Sequence, residues 1–401
     1  METTWRWFGR NDTVPLEKLR QIGVEGIVTA LHDIPAGEVW SSSDILRTRQ
    51  LIEDAGLRWS VVESLPVSEE IKYAGARRDE LIDNYIESLA NLGRCGIGTV
   101  CYNFMPVLDW VRTDLEHPCP DGGTSLYFDY AAFAYFDIKI LSRPGAAESF
   151  PPEVAAKAEE MDRTMTPEGR HALVENIIVR TQGFLNSYFR GDDREPVEKF
   201  MALLALYEGV GKDELRANMK YFLEAVMPVC NEYGIDMCVH PDDPPMDILG
   251  LPRIVRNAED IRWILSAVPD PRNGLTFCAG SLSSGECNDV VEMAREFAPR
   301  TRFVHLRSCE LLPGGDFIEA PHTGGRADLV ELCRIFAREE RRRGATALRR
   351  LPMRVDHGRD ILSDASLEHN PGYGFYGRMH ALGQVEGMLA VIEKELKDTQ
   401  I

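Results

Sequence analysis

The sequence has no excess of basic side chains. Of its 401 residues, 45 are Lys or Arg and 64 are Asp or Glu, a formal net charge of −19. A nucleic acid or an anionic membrane needs a basic face to dock on, so neither is an expected partner. No run of about 18 apolar residues occurs, which excludes a transmembrane helix on hydropathy grounds. Residues 1–7 lack a basic stretch followed by an apolar one, so no signal peptide is expected. The nine cysteines are odd in number and scattered, with no C-x-x-C pair. A disulfide framework is therefore not expected, and a reducing cytoplasm is the natural compartment. G-x-x-x-x-G-K-[ST], H-E-x-x-H and G-x-S-x-G are also missing, which argues against ATP-dependent, zincin and α/β-hydrolase chemistry. Residues 371–377 formally match G-x-G-x-x-G but do not directly follow a strand. No nucleotide cofactor is expected, and the segment reads instead as a loop that presents Tyr373.

What is present is a chain with a 44% hydrophobic share, enough for a sizeable core. Eight short runs rich in β-branched, aromatic and apolar residues read as strands: 5–9, 26–31, 59–65, 99–105, 237–241, 275–280, 302–307 and 352–357. Several are nearly continuous apolar runs, as expected for parallel strands buried on both faces. Helical patterns lie between them. Ser43 is a candidate cap for a helix that turns Ile45, Leu46 and Ile52 inward and stops before Gly56. Met219, Phe222, Leu223 and Val226 repeat at helical spacing, as do Leu329, Leu332, Cys333 and Phe336. Eight strands alternating with helices predict a (β/α)₈ TIM barrel, with a doubly wound open sheet as the second reading. The stretch 106–234, between the fourth and fifth strands, is far longer than a plain βα unit needs. It is read as a large, mostly helical insertion in a single domain spanning 1–401.

Barrel enzymes place their chemistry at the C-terminal ends of strands. The ends of the last four strands carry His240, Cys278, His305 and Asp356, one metal-competent side chain each. Adjacent strand ends are about 4.8 Å apart, so such groups can converge on one divalent ion. Cys238 shares a face with His240 one layer deeper and is read as core. Asp242 and Asp243 follow the fifth strand. Arg307 and Arg359 are candidates for holding a carboxylate, because guanidinium pairs with it bidentately. His357 is a candidate general acid or base.

Residues 5–9, 37–40, 59–64, 99–106, 239–245, 305–308 and 356–359 together resemble the mannonate dehydratase family, whose fold is similar to that of xylose isomerase. The resemblance implies metal-dependent dehydration of D-mannonate to 2-dehydro-3-deoxy-D-gluconate in hexuronate breakdown, with Mn²⁺ or Fe²⁺. It implies His240, Cys278, His305 and Asp356 as metal ligands and His357 with Tyr373 as the acid/base pair. Arg307, Arg359, Asn103 and Asp242 are the expected substrate contacts. Two positions depart from the family pattern. Val355 stands where Pro is usual, and Ala279 where Thr often follows the Cys. A small sugar acid is the expected partner and a homo-oligomer, a dimer, the expected assembly. The alternatives are a sugar isomerase on the same barrel, a barrel phosphodiesterase or endonuclease, and a binding protein without turnover.

Overall fold

Apolar strands separated by amphipathic helices bury both faces of each strand when a parallel sheet is wrapped by the helices. A computed structural model of the chain describes residues 1–182, 195–346 and 348–398. The strands in chain order are β1 (Glu2–Arg6), β2 (Gly26–Thr29), β3 (Arg58–Glu63), β4 (Thr99–Tyr102), β5 (Asp114–Pro118), β6 (Thr124–Phe128), β7 (Asp236–Val239), β8 (Asn273–Cys278), β9 (Thr301–His305), β10 (Ser308–Leu311), β11 (Phe317–Ala320) and β12 (Pro352–Arg354). Eight of them close into a parallel barrel in the order β1-β12-β9-β8-β7-β4-β3-β2. Each barrel strand overlaps one of the eight predicted runs. β1 begins earlier than predicted, because Glu2 and Thr3 pair with Pro352 and Met353 of β12 despite their polar side chains.

Inside the barrel, Val28, Val61, Cys101, Cys238 and Phe303 pack together, one from each of five strands. Cys238 is thus core. Outside, the helix Lys212–Tyr233 buries Met219, Phe222, Leu223 and Val226 and ends at Gly234 in the left-handed region, φ 67°. The helix Leu329–Gly344 buries its predicted stripe as well. The helix Ser42–Asp54 corrects two expectations. Ser41, not Ser43, accepts the capping hydrogen bond from the Asp44 N–H, at 3.2 Å. Ile45 and Ile52 are buried, but Leu46 is 49% exposed, on the solvent side of the stripe.

The stretch 106–234 holds more than helices. β5 and β6 form an antiparallel hairpin, and β6 pairs with β11, so that β10-β11-β6-β5 make a second, antiparallel sheet. Helices follow from Tyr130, and the stretch ends in the barrel helix Lys212–Tyr233; residues 183–194 lie outside the described residues. β5 reads Asp-Leu-Glu-His-Pro, too polar to register as a strand in the sequence. Phe128 and Phe317 stack across the join at 5.0 Å between ring centroids. No described helix is long and apolar enough to cross a membrane.

Candidate metal centre and active site

Barrel register brings the donors together. Cys278, the last residue of β8, lies beside His305, the last of β9, and His305 lies beside Arg354 at the end of β12. His240 follows β7. The ligand atoms of His240, Cys278 and His305 all lie within 4.8 Å of one another. His240 Nε2 is 3.3 Å from His305 Nδ1. Bonds of about 2.0–2.3 Å to one ion span such a group with small side-chain adjustments. Asp356 stands at its edge: Oδ2 is 3.5 Å from His305 Nδ1 and 3.7 Å from Cys278 Sγ. Its carboxylate is also paired with Arg307 Nε and Arg354 Nη1, each at 2.5 Å. The Asp356 backbone sits at φ 57°, a conformation that a non-glycine residue rarely adopts and that recurs at functional sites.

The electrostatics suit a metal. Burial raises the pKa of the Cys278 thiol, but Arg307 and His240 pull it well below the ordinary thiol range. The thiolate is the ligand form. Burial disfavours a charge on His240, yet the adjoining Cys278 pushes its pKa up to about 10. An imidazole, a second imidazole and a thiolate facing one another, with a carboxylate alongside, fit a divalent ion.

The pocket at this end of the barrel has a cavity volume of about 80 Å³ and opens to solvent. Asn103, Trp110, His357 and Tyr373 line it, with Arg6, Glu63, Lys72, Asp109 and Arg354. The His357 ring lies 4.8 Å from Trp110 and 5.3 Å, edge-on, from Tyr373. Its Nδ1 is 3.4 Å from Glu319 Oε1 on β11. Tyr373 packs edge-on against Phe8 at 4.8 Å, and burial pushes its pKa up to about 12. Gly372 lets the loop reach here. It sits at φ 79°, and a Cβ would come within 2.8 Å of Leu126.

The other expected contacts divide. Asn103 is in the pocket, its amide donating to Asp109. Arg307 lies at the pocket wall, but its donors are taken by Asp356, Glu319 and Asp243. The structure does not bring Asp242 to the pocket: its carboxylate accepts from the Val255 N–H at 2.7 Å and faces Arg253. Nor does it bring Arg359, which pairs with Asp121 of the β5–β6 hairpin. The sequence reading missed Glu63, Arg354 and Arg6, at the ends of β3, β12 and β1. It searched four strand ends for metal donors, whereas reading all eight for charged residues would have found them. It also missed Glu319 and Arg112, which belong to the second sheet and its approach. Arg112 joins Asp243 at 2.7 Å and Glu319 at 2.7 Å, all essentially inaccessible to solvent. Burial raises the pKa of the Glu319 carboxyl, but Arg307 and Arg112 outweigh it and hold it at about 2.

Fold and site together define a (β/α)₈-barrel enzyme with a metal-competent centre at the C-terminal mouth. The chain belongs to the D-mannonate dehydratase family, hydro-lyases: the family model described as D-mannonate dehydratase (UxuA) matches residues 1–399. It is 46% identical over 390 residues to the mannonate dehydratase of Marinomonas sp., covering 97% of this chain and 98% of that one. Against the mannonate dehydratase of Chromohalobacter salexigens it is 43% identical over 395 residues, covering 98% and 99%. The crystal structure of mannonate dehydratase from Streptococcus suis serotype 2 superposes with a TM-score of 0.75 at 32% identity, covering 99% of this chain and 96% of that one. Family and donor set together imply a divalent metal.

Proposed function

We propose that this chain dehydrates D-mannonate to 2-dehydro-3-deoxy-D-gluconate, using Mn²⁺ or Fe²⁺ held by His240, Cys278, His305 and Asp356. The observation that carries the reading is the His240–Cys278–His305 group, which reaches the pocket through His240, in a chain of this family. Losing water across C2–C3 requires removal of a weakly acidic proton beside a carboxylate and departure of hydroxide. A divalent ion bound to the donors supplies stabilisation for the negative charge that develops beside C1. The chain's own groups move the protons. Tyr373, protonated at neutral pH, is suited to protonate the departing C3 oxygen. His357, with Nδ1 turned to Glu319, is suited to take the C2 proton through its other nitrogen. Trp110 and Tyr373 flank His357 and keep water from its faces.

We read 1–401 as one catalytic domain in which 106–234 supplies part of the pocket wall, through Asp109 and Trp110. We place it in the cytoplasm, in keeping with nine free cysteines, and as a homodimer, which sedimentation would test. The test of the activity is to strip the protein of metal and incubate it with D-mannonate with and without Mn²⁺ or Fe²⁺. Appearance of the 2-keto-3-deoxy acid only with metal is the expected result. No product with either ion sinks the reading.

A further inference from the structure

A sugar acid needs a cation for its carboxylate, and neither arginine expected from the sequence is free to provide it. Arg307 has all three nitrogens engaged: Nε with Asp356, Nη1 with Glu319, Nη2 with Asp243 and Ser281. Arg359 is outside the pocket. Among the pocket's other cations, Lys72 is neutralised by Glu69 at 2.5 Å and also donates to the Met105 carbonyl. Arg354 donates Nε to His305 and Nη2 to Glu63, and its Nη1, without a hydrogen bond, is ion-paired with Asp356 at 2.5 Å.

Arg6 differs. It is 6% exposed, lines the pocket and donates from Nη1 alone, to the Glu63 carbonyl. Its Nε is buried with no hydrogen-bond acceptor among the described residues. Its only carboxylate partner among the described residues, Glu63 at 3.2 Å, is shared with Arg354 at 2.9 Å and with His305 at 3.4 Å. One negative charge thus serves three partners, and Arg6 keeps both surplus charge and an unused donor edge. A guanidinium offers such an edge to a carboxylate as two parallel hydrogen bonds.

We propose that Arg6 binds the carboxylate of the substrate, and that it makes the pocket select an aldonic acid over a neutral sugar or alditol of the same length. The inference rests on the sugar-acid reading above and names the residue that recognises the acid. Calorimetric titration of the metal-loaded protein with D-mannonate and with D-mannitol tests it. The unaltered protein prefers the acid. Arg6→Gln loses affinity for mannonate roughly a hundredfold, and Arg6→Lys, which keeps the charge but not the paired donors, roughly tenfold. Mannitol binding changes less than about twofold in either variant, because it carries no charge for Arg6 to meet. A parallel loss for both ligands assigns Arg6 a structural role and overturns the proposal; so does unchanged mannonate binding, or no preference for the acid in the unaltered protein. Where Arg6→Gln fails to fold or hold metal, Arg6→Lys decides by the same criteria. Selective binding without dehydration leaves the Arg6 assignment standing and removes the reaction. Dehydration that is indifferent to Arg6 does the reverse.

Discussion

The two walls of the pocket are built from different chemistry. On the side of β7, β8 and β9 stand His240, Cys278 and His305, nitrogen and sulfur donors within 4.8 Å of one another, with His240 facing the pocket. The wall of β12, β1 and β3 offers Arg354, Arg6 and Glu63, two guanidinium groups sharing one carboxylate. Asp356 stands at the seam and touches both. The difference teaches that a barrel mouth can separate holding an ion from holding an anion, because each strand end is an independent position.

Changes on the donor wall have the largest expected effect. Cys278→Ala or His240→Ala removes the metal and lowers turnover roughly a thousandfold or more, since several kcal/mol of charge stabilisation goes with it. Elemental analysis beside the activity assay checks both halves, and a variant that keeps stoichiometric metal breaks the division. Tyr373→Phe sharpens it. The protein keeps its metal but kcat falls about a hundredfold, in line with loss of one proton donor. Metal loss in that variant moves Tyr373 into the coordination shell.

The charged groups leave a signature in acid. Burial raises the Glu63 carboxyl's pKa, but Arg354, His305 and Arg6 hold it at about 2 against an ordinary 4.5. Glu319 is held at about 2 as well. A depressed folded-state pKa contributes stability that is complete above the unfolded value and is lost as pH falls through the folded one. The thermal midpoint is therefore expected to hold steady above about pH 5 and to fall between about 4.5 and 2. Glu63→Gln flattens that fall in scanning calorimetry, and an unchanged profile shows that other carboxylates control it. The smallest effect belongs to neither wall. Arg359→Ala changes kcat/KM less than about twofold, because its guanidinium pairs with Asp121 and does not line the pocket.

The barrel was legible because strands buried on both faces are mostly apolar, and most of the eight left that trace; β1, Glu-Thr-Thr-Trp-Arg, is buried but largely polar, which is why its start was misplaced. The second sheet was not, because β5 and β10 each leave polar residues toward solvent and β11 is short. The three tight donors were legible from chain order, since one βα unit separates each from the next. What the sequence hides is saturation. Arg307 and Arg359 look alike as carboxylate holders until their partners are seen, one locked among three buried acids and the other drawn to Asp121. Asp242 likewise looks like a site residue until its carboxylate is found supporting the Val255 backbone.

The second sheet joins pieces far apart in the chain: β6 ends at Phe128, and its neighbour β11 begins at Phe317. During synthesis the ribosome delivers the β5–β6 hairpin long before the strand that completes it, so this pairing is a high-contact-order event. The carboxylate that steadies His357 comes from the late strand. A nascent chain halted before residue 300 already contains His240 and Cys278 but still lacks His305, Glu319, Asp356, His357 and Tyr373, so the pocket can be completed only by the last quarter of the polypeptide.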